Sequence, residues 1–357
     1  MDFVSYMELN KSCPQLKGLD FSKEQIEDCI KNNSILRVSI ALSKKCNLKC
    51  PFCYANEYTQ DAKTSLEEEL TFDEIKGVII QAKENGAKTI TLVGGEPSTY
   101  LNIKEIISFI NSNHLTTVIF TNGTIMSDEF ADFLYKNNVS LIVKFNSLDN
   151  PKIQDEMVGN IPGSFDKIHE TISILQKTGF HKTTPTRLAI ETVISKANLS
   201  QIPKIFRFAR KNNIYPYIEL ITPAGRGKHY PDTLTKNEAK EIFNKLLKID
   251  ESEFGYTWAP RPPQVAATCK YYFTAVYINP DGKVQPCPTV KIELGNLKKE
   301  KLSEILNKPQ TKKIRNIREN ITGKCKTCSY HLDCYGCRGA AFNSCGDIFC
   351  EDPVCWI

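Results

Sequence analysis

The sequence predicts an α/β fold with a parallel sheet, followed by a small cysteine-rich domain. Strand-like and helix-like segments alternate six times between residues 35 and 250. Such alternation implies parallel strands joined by right-handed crossovers. Nine of the fourteen cysteines follow residue 268. We therefore divide the chain into a lead-in over 1–34, an α/β domain over 35–250 and a cysteine-rich domain over 251–357.

The elements before residue 250 are predicted from apolar, β-branched runs and from helix caps. Ser22 is a predicted N-cap, Thr71 and Glu74 form a capping box, and Gly179 closes a helix. The predicted strands are Ile35–Leu42, Thr89–Val93, Thr116–Phe120, Leu141–Phe145, Arg187–Ile194 and Tyr217–Ile221. The predicted helices are Phe21–Asn32, Thr71–Asn85, Ile103–Ile110, Ser127–Asn137, Ser164–Thr178 and Ser200–Lys211. Six strand–helix units are too few for the usual closed eight-unit barrel.

Near its start, the cysteine-rich domain has a proline-rich stretch, 260–263, which we interpret as a linker. Alternating residues predict a strand over Tyr271–Ile278. Pro280-Asp281-Gly282 predicts a hairpin turn, and Val284–Cys287 would be the returning strand. A short helix is predicted over Leu302–Leu306.

Composition excludes several classes of partner. The net charge of +5 over 357 residues is mild, and basic residues are spread along the chain rather than clustered with aromatics, so we expect no nucleic-acid partner. No apolar run is long enough to span a bilayer, and no cleavable signal is visible, so we expect a cytoplasmic protein without a membrane partner. Without a secretion signal, fourteen cysteines indicate metal binding rather than a disulfide scaffold.

Three cysteines are crowded into one short loop after the first predicted strand. Cys46, Cys50 and Cys53 form a C-x3-C-x2-C triad. Soft thiolates at this spacing suit zinc or an iron–sulfur cluster. A four-iron cluster held by three cysteines leaves one iron open to a substrate or cosubstrate. A structural zinc site would normally have four ligands, and it remains the alternative.

This triad, with Phe52 before its last cysteine and Gly94-Gly95-Glu96-Pro97 some forty residues later, resembles the radical S-adenosylmethionine (radical SAM) superfamily. The resemblance implies a partial (β/α)6 TIM-like barrel, open on one side. It also implies a 4Fe–4S cluster on the triad, with S-adenosylmethionine on its open iron. One electron would then cleave the sulfonium to methionine and a 5′-deoxyadenosyl radical, which abstracts hydrogen from a substrate.

The resemblance also implies residues that bind S-adenosylmethionine. Gly94, Gly95 and Glu96 correspond to the motif that meets its amino group. Asn146 and Ser147, at the end of the fourth strand, resemble the polar pair that meets the ribose and carboxylate. Further candidates at strand ends are Glu191 and Thr222. For each candidate outside the glycine motif, the alternative is an ordinary polar group satisfied at a strand end.

The tail resembles the SPASM extension of radical SAM enzymes, which ordinarily carries two auxiliary 4Fe–4S clusters. The resemblance assigns three cysteines to the first auxiliary cluster, namely Cys269, Cys287 and Cys337. It assigns four to the second, namely Cys325, Cys328, Cys334 and Cys355. The last spacing of the run is x2 rather than x3. The first cluster also has only three clear ligands, so it either takes Cys345 or Cys350 as a fourth ligand or has an open iron. A pair of zinc-ribbon sites is the alternative.

Three functions remain open at this stage. The first is a radical SAM enzyme that forms thioether or carbon–carbon bonds in a peptide or protein. The second is a radical SAM enzyme that modifies a small molecule, such as a tetrapyrrole side chain or a redox-cofactor precursor. The third is a non-enzymatic iron–sulfur or zinc carrier. Sulfatase maturation ranks low, because Pro288 stands where the resemblance would place an aspartate base. Either enzyme needs an external reductant such as flavodoxin or ferredoxin.

Overall fold

The computed structural model describes residues 13–55 and 69–357, and its centre is one mixed sheet of nine strands. In chain order the strands are β1 Arg37–Ala41, β2 Thr89–Val93, β3 Thr116–Thr121, β4 Val139–Lys144, β5 Leu188–Ile194, β6 Tyr215–Leu220, β7 Ala275–Ile278, β8 Lys283–Gln285 and β9 Gly295–Asn296. Their order across the sheet is β6-β5-β4-β3-β2-β1-β7-β8-β9. Each of the six predicted barrel strands is present, with ends shifted by no more than two residues. The α/β class with an open, mostly parallel sheet is confirmed.

Helices cover this sheet. In chain order they are α1 Lys23–Lys31, α2 Phe72–Glu84, α3 Ile103–Ser112, α4 Asp128–Lys136, α5 Pro151–Met157, α6 Ser164–Thr178, α7 Ile202–Lys211, α8 Lys236–Ile249, α9 Tyr271–Thr274, α10 Leu302–Asn307, α11 Pro309–Arg315, α12 Ile317–Asn320, α13 Lys324–Thr327 and α14 Arg338–Cys345. The predicted caps are confirmed: Ser22 accepts from the Gln25 N–H, and Thr71 and Glu74 form the capping box.

Helices α8 and α11–α14 and strand β9 were not predicted, and two further differences are informative. Helix α5, capped by Asn150, was not predicted, because seven residues carry too little periodicity to stand out from a loop. The predicted strand over Tyr271–Ile278 is wrong in its first half, which forms the helical turn α9. The Thr274 N–H and hydroxyl both bond to the Lys270 carbonyl, which stabilises the turn. Over four positions, an apolar pattern in the sequence does not distinguish a strand from a single helical turn.

The cysteine-rich segment is joined directly to the barrel sheet. Strand β7 pairs in parallel with β1, as Val38 opposite Val276 illustrates, and β7 continues into the antiparallel hairpin β7–β8. The proline-rich stretch lies against β6, because the Leu220 N–H donates to the Pro263 carbonyl at 2.9 Å. One sheet therefore runs across the predicted boundary at residue 250, and the tail cysteines lie close to the barrel.

Apolar side chains pack between the sheet and its helices. Ile40, Leu92 and Val143 are among the fully or almost fully buried members of this core. Beside it, Arg210 and Asp250 form an ion pair at 2.7 Å with almost no exposure, and the carboxylate also accepts from the Trp258 indole. A buried charge is tolerated only when paired and hydrogen-bonded in this way.

Candidate functional site

The cysteine triad lies on the loop that leaves the carboxyl end of β1. The three thiols lie within electrostatic range of one another, since Cys53 raises the pKa of Cys46, and Cys46 and Cys53 both raise the pKa of Cys50. Burial raises the pKa of Cys46 to about 11. Burial also raises the pKa of Cys50 to about 12, against the opposing effect of the Lys144 ammonium. The loop thus gathers three thiols, and Cys46 and Cys50 stay neutral unless a cation replaces their protons.

Glycines let neighbouring loops approach the backbone of this cysteine loop. A Cβ on Gly95 would stand 1.7 Å from the Lys45 carbonyl oxygen. A Cβ on Gly225, beyond β6, would stand 2.5 Å from the carbonyl oxygen of Cys53. The Arg226 N–H also donates to that carbonyl at 3.0 Å. The triad is therefore held from both sides by backbone contacts that exclude any side chain.

Glu96 fixes the glycine motif to the end of β3. Its carboxylate is 4% exposed and accepts from the Thr121 hydroxyl at 2.7 Å and the Asn122 N–H at 2.6 Å. It also accepts from Ser98. Burial raises the pKa of this carboxyl, although these donors oppose the shift. Glu96 therefore shapes the loop, and its oxygens are already used by the protein.

Asn146 and Ser147 follow β4 and are fully buried. The Ser147 hydroxyl accepts the Asn150 N–H at 3.0 Å, so it stabilises the start of α5. The Asn146 amide oxygen accepts the Val193 N–H at 3.4 Å, whereas its Nδ2 is buried without a hydrogen-bond partner among the described residues. Of this pair, Asn146 keeps a free donor.

Inside the barrel, charged and phenolic side chains lie on adjacent strands. Lys144 and Glu191 stand opposite each other on β4 and β5 and form an ion pair at 2.9 Å. Lys144 also lies over the Phe52 ring, at 5.6 Å from its centroid. On β6, burial and then the nearby Glu191 raise the pKa of Glu219 to about 8. Glu191 is thus paired in this structure, and Glu219 was not identified from the sequence.

Thr222 follows β6 and begins the turn that meets the cysteine loop. Its carbonyl accepts the Ala224 N–H at 2.7 Å, and its methyl group lies near Gly339 in α14. Arg226 in the same turn has a buried Nε without a hydrogen-bond partner among the described residues. The pair of glycines in Gly225-Arg226-Gly227 could have indicated, from the sequence, a turn whose backbone packs closely against another loop.

The first tail set, which we define as Cys269, Cys287 and Cys337, comes from three separate elements. Cys269 precedes α9, Cys287 follows β8, and Cys337 caps α14 through its sulfur. Burial raises the pKa of Cys287 to about 11, and Cys269 adds to that shift. Burial raises the pKa of Cys337, and the Cys287 and Cys269 thiols add to that increase. The fold brings together these three thiols from positions up to 68 residues apart in the sequence.

The second tail set is Cys325, Cys328, Cys334 and Cys355, and all four line one pocket together with Arg261 and Tyr330. The Arg338 guanidinium approaches the Cys325 sulfur at 3.7 Å. Over residues 13–55 and 69–357, no three His, Cys, Asp or Glu side chains converge as ligands of a single metal ion.

Cys345 and Cys350 are bonded to each other as a disulfide. The expectation that one of them supplies the fourth ligand of the first tail set stays a prediction, and this pairing weighs against it. Gly346, with φ of 79°, turns the chain after α14 and allows the two cysteines to meet. The sequence left this open, because a separation of five residues is compatible with a disulfide or with separate roles.

Comparison with known proteins agrees with this geometry. Residues 40–209 match the family model of the radical SAM superfamily. A nucleotide dehydratase from Flammeovirga pacifica, S-adenosylmethionine-dependent by name, is 30% identical over 61% of this chain and 74% of its own length. The chain belongs to the radical SAM superfamily. Within it, residues 269–329 match the SPASM iron–sulfur cluster-binding domain, so this is a radical SAM enzyme with a SPASM extension. The two domains imply iron–sulfur clusters and S-adenosylmethionine as cofactors.

Relatives with different substrates align over most of the chain. An AdoMet-dependent heme synthase from Methanosarcina barkeri is 28% identical over 88% of this chain and 94% of its own. The antilisterial bacteriocin subtilosin biosynthesis protein AlbA of Bacillus subtilis is 25% identical over 84% and 67%. The structure of Streptococcus suis SuiB bound to S-adenosylmethionine superposes with a TM-score of 0.69 at 19% identity, covering 94% of this chain and 81% of that one. The fold is therefore shared with SuiB.

Among the described residues, no helix is both long and apolar enough to cross a membrane.

Proposed function

We propose that this enzyme cleaves S-adenosylmethionine at a 4Fe–4S cluster held by Cys46, Cys50 and Cys53, and abstracts hydrogen from a peptide or protein substrate. The cluster, when bound, supplies the electron that breaks the sulfonium bond. The observation that carries the assignment is the gathering of three half-buried thiols on a loop that glycine backbones hold from both sides. Once these thiols lose their protons they become negatively charged thiolates, and iron would supply the positive charge that stabilises them.

The residues around the triad have separate tasks in this proposal. Gly94 and Gly95 present backbone to the amino group of S-adenosylmethionine, and Glu96 holds their loop against β3. The unpartnered amide of Asn146 is a donor for the cosubstrate. Glu191 on β5 and Thr222 after β6 are candidates for contact with the ribose or the substrate.

The charge pattern inside the barrel supports a peptide. Lys144 is neutralised by Glu191, and Glu219 adds a further acid beside them. Tyr217, on the same face of β6, hydrogen-bonds to Glu219 and adds a phenol. A peptide backbone is uncharged and takes such mixed donors and acceptors, whereas a substrate with several carboxylates needs an excess of cations.

A tetrapyrrole is the second candidate, favoured by a specific observation. Arg226, beside the triad, has a buried Nε without a hydrogen-bond partner among the described residues. Guanidinium groups are suited to bidentate recognition of carboxylates. The alignment with heme synthases over 88% of the chain adds support.

The tail sets are proposed to hold two auxiliary clusters, one on Cys269, Cys287 and Cys337 and one on Cys325, Cys328, Cys334 and Cys355. The fit rests on the donor chemistry, because each set groups half-buried sulfur atoms. With one cluster on each set and one on the triad, the reconstituted chain should bind about twelve irons.

The test uses the full-length chain reconstituted without oxygen. Replacement of Cys46, Cys50 and Cys53 by Ala should abolish 5′-deoxyadenosine formation from S-adenosylmethionine and dithionite, while about eight irons remain. Persistent cleavage would refute the triad assignment. To separate the substrate classes, synthetic peptides from reading frames beside the gene and iron coproporphyrin III are each added. A mass change in a peptide supports the proposal, and a mass change in the tetrapyrrole alone supports the second candidate.

A further inference from the structure

Two buried tyrosines stand against the first tail set. Tyr335 is 1% exposed, and its hydroxyl donates to the Cys269 sulfur at 3.4 Å. Tyr272 is 2% exposed, and its hydroxyl interacts with the Cys287 sulfur, although it makes no hydrogen bond of full geometry within residues 13–55 and 69–357. Cys287, Cys337 and Cys269 are all within electrostatic range of the Tyr272 hydroxyl. Both phenols therefore lie at the same group of three sulfurs.

The local structure holds the two rings in place. Tyr272 lies in α9, three residues after Cys269, and Tyr335 lies two residues before Cys337. Their rings meet edge to face at 5.5 Å between centroids, and the Tyr335 ring also meets Phe273 at 5.2 Å. The Tyr335 hydroxyl accepts the Tyr272 N–H at 3.3 Å, which leaves its own hydrogen for Cys269.

Packing alone does not account for these hydroxyl groups. Phenylalanine would fill the same space, as Phe273 does beside them. A buried hydroxyl left without a partner is destabilising. The Tyr272 hydroxyl meets the Cys287 thiol without full hydrogen-bond geometry, so the groups that could accept its hydrogen are sulfurs.

We propose that Tyr272 and Tyr335 donate hydrogen bonds to sulfur atoms of the first auxiliary cluster and thereby raise its reduction potential. This inference rests on the proposed function, which assigns that cluster to Cys269, Cys287 and Cys337. A donor stabilises the reduced cluster more than the oxidised one, because reduction adds negative charge to the sulfurs. Hydrogen bonds to sulfur and the exclusion of solvent are recognised determinants of cluster potentials. The two tyrosines would thus affect electron transfer through the cluster, without touching the substrate.

The second tail set provides a matched control. Tyr330 lines its pocket, and the Arg261 guanidinium lies over the Tyr330 ring at 5.0 Å. Tyr330→Phe therefore removes a phenol from the same domain but not from the first set. Tyr272→Phe and Tyr335→Phe each remove one hydroxyl and keep the ring.

The experiment is an EPR-monitored redox titration of the reconstituted full-length chain in the C46A/C50A/C53A background, where the two auxiliary clusters remain. We expect Tyr272→Phe and Tyr335→Phe each to move the midpoint of one cluster to more negative potential, and the double variant to move it further. Tyr330→Phe should leave that midpoint at its unsubstituted value. Iron content is measured for every sample.

Each other outcome has a distinct meaning. Unshifted midpoints in both variants with full iron content would overturn the inference and leave the proposed function standing. Loss of about four irons in either phenylalanine variant would also overturn it, since the tyrosine would then hold the cluster rather than tune it. If the parent background itself binds only about four irons, the ligand assignment of the proposed function fails, and the inference fails with it.

Discussion

Gly95→Ala should disrupt the cysteine loop by steric contact alone. The new Cβ would stand 1.7 Å from the Lys45 carbonyl oxygen, so the two backbones must separate by about 1.7 Å to reach the 3.4 Å of ordinary contact. That movement breaks two hydrogen bonds of 2.8 Å, from the Gly95 N–H to Ser43 and from the Glu96 N–H to Lys45. Overpacking costs about 1–3 kcal/mol and each lost hydrogen bond about 1 kcal/mol. We expect a loss of about 3–5 kcal/mol.

The assay is denaturant unfolding of the metal-free chain, followed by iron and 5′-deoxyadenosine measurements after reconstitution. Gly77→Ala is the matched control, because Gly77 lies exposed in α2 and no atom lies within 4 Å of its new Cβ. This control should be more stable than the parent by about 1 kcal/mol, through helix propensity. A Gly95→Ala chain that unfolds within about 1 kcal/mol of the parent and binds full iron would refute the steric argument.

Three further predictions address other parts of the molecule. Arg210→Ala leaves Asp250 buried and unpaired, so it should destabilise by about 3–5 kcal/mol in denaturant unfolding, whereas Arg207→Ala, at the exposed pair with Glu253, should cost under about 1 kcal/mol. Similar losses in both would contradict the role of burial. Folding raises the pKa of Glu219 from 4.5 to about 8, so its proton-linked stability is complete below pH 4.5 and is lost as pH rises through about 8. The unfolding free energy of Glu219→Gln, measured against pH, should lack this decline. A pH profile identical to that of the parent would show that Glu219 does not cause it. Cys345→Ser and Cys350→Ser should each keep the parent's iron content, because the two sulfurs pair with each other, and loss of iron would restore one of them as a ligand.

Local patterns were enough to predict the barrel strands and most of the helices that precede residue 250. Thr89–Val93 and Ser164–Thr178 were predicted with the observed ends, since β-branched runs and a closing glycine act within a few residues. The turn at Tyr271–Thr274 was missed, because its helical form depends on Lys270 and on the packing of Tyr335 from far along the chain. Short segments are decided by such contacts.

The sequence alone determined the chemistry available to this protein: three clustered cysteines, a glycine motif after the second strand and a second group of cysteines in the tail. Their spacing in the chain carries that information, because ligands on one loop are close in any fold. Only the tertiary structure decided that β7 joins β1 and brings the tail sulfurs beside the barrel. It also paired Cys345 with Cys350, placed Glu219 beside Glu191, and set two phenols against the first tail set. Apart from the disulfide, these contacts join residues distant in sequence, and their strength depends on burial, which no local pattern encodes.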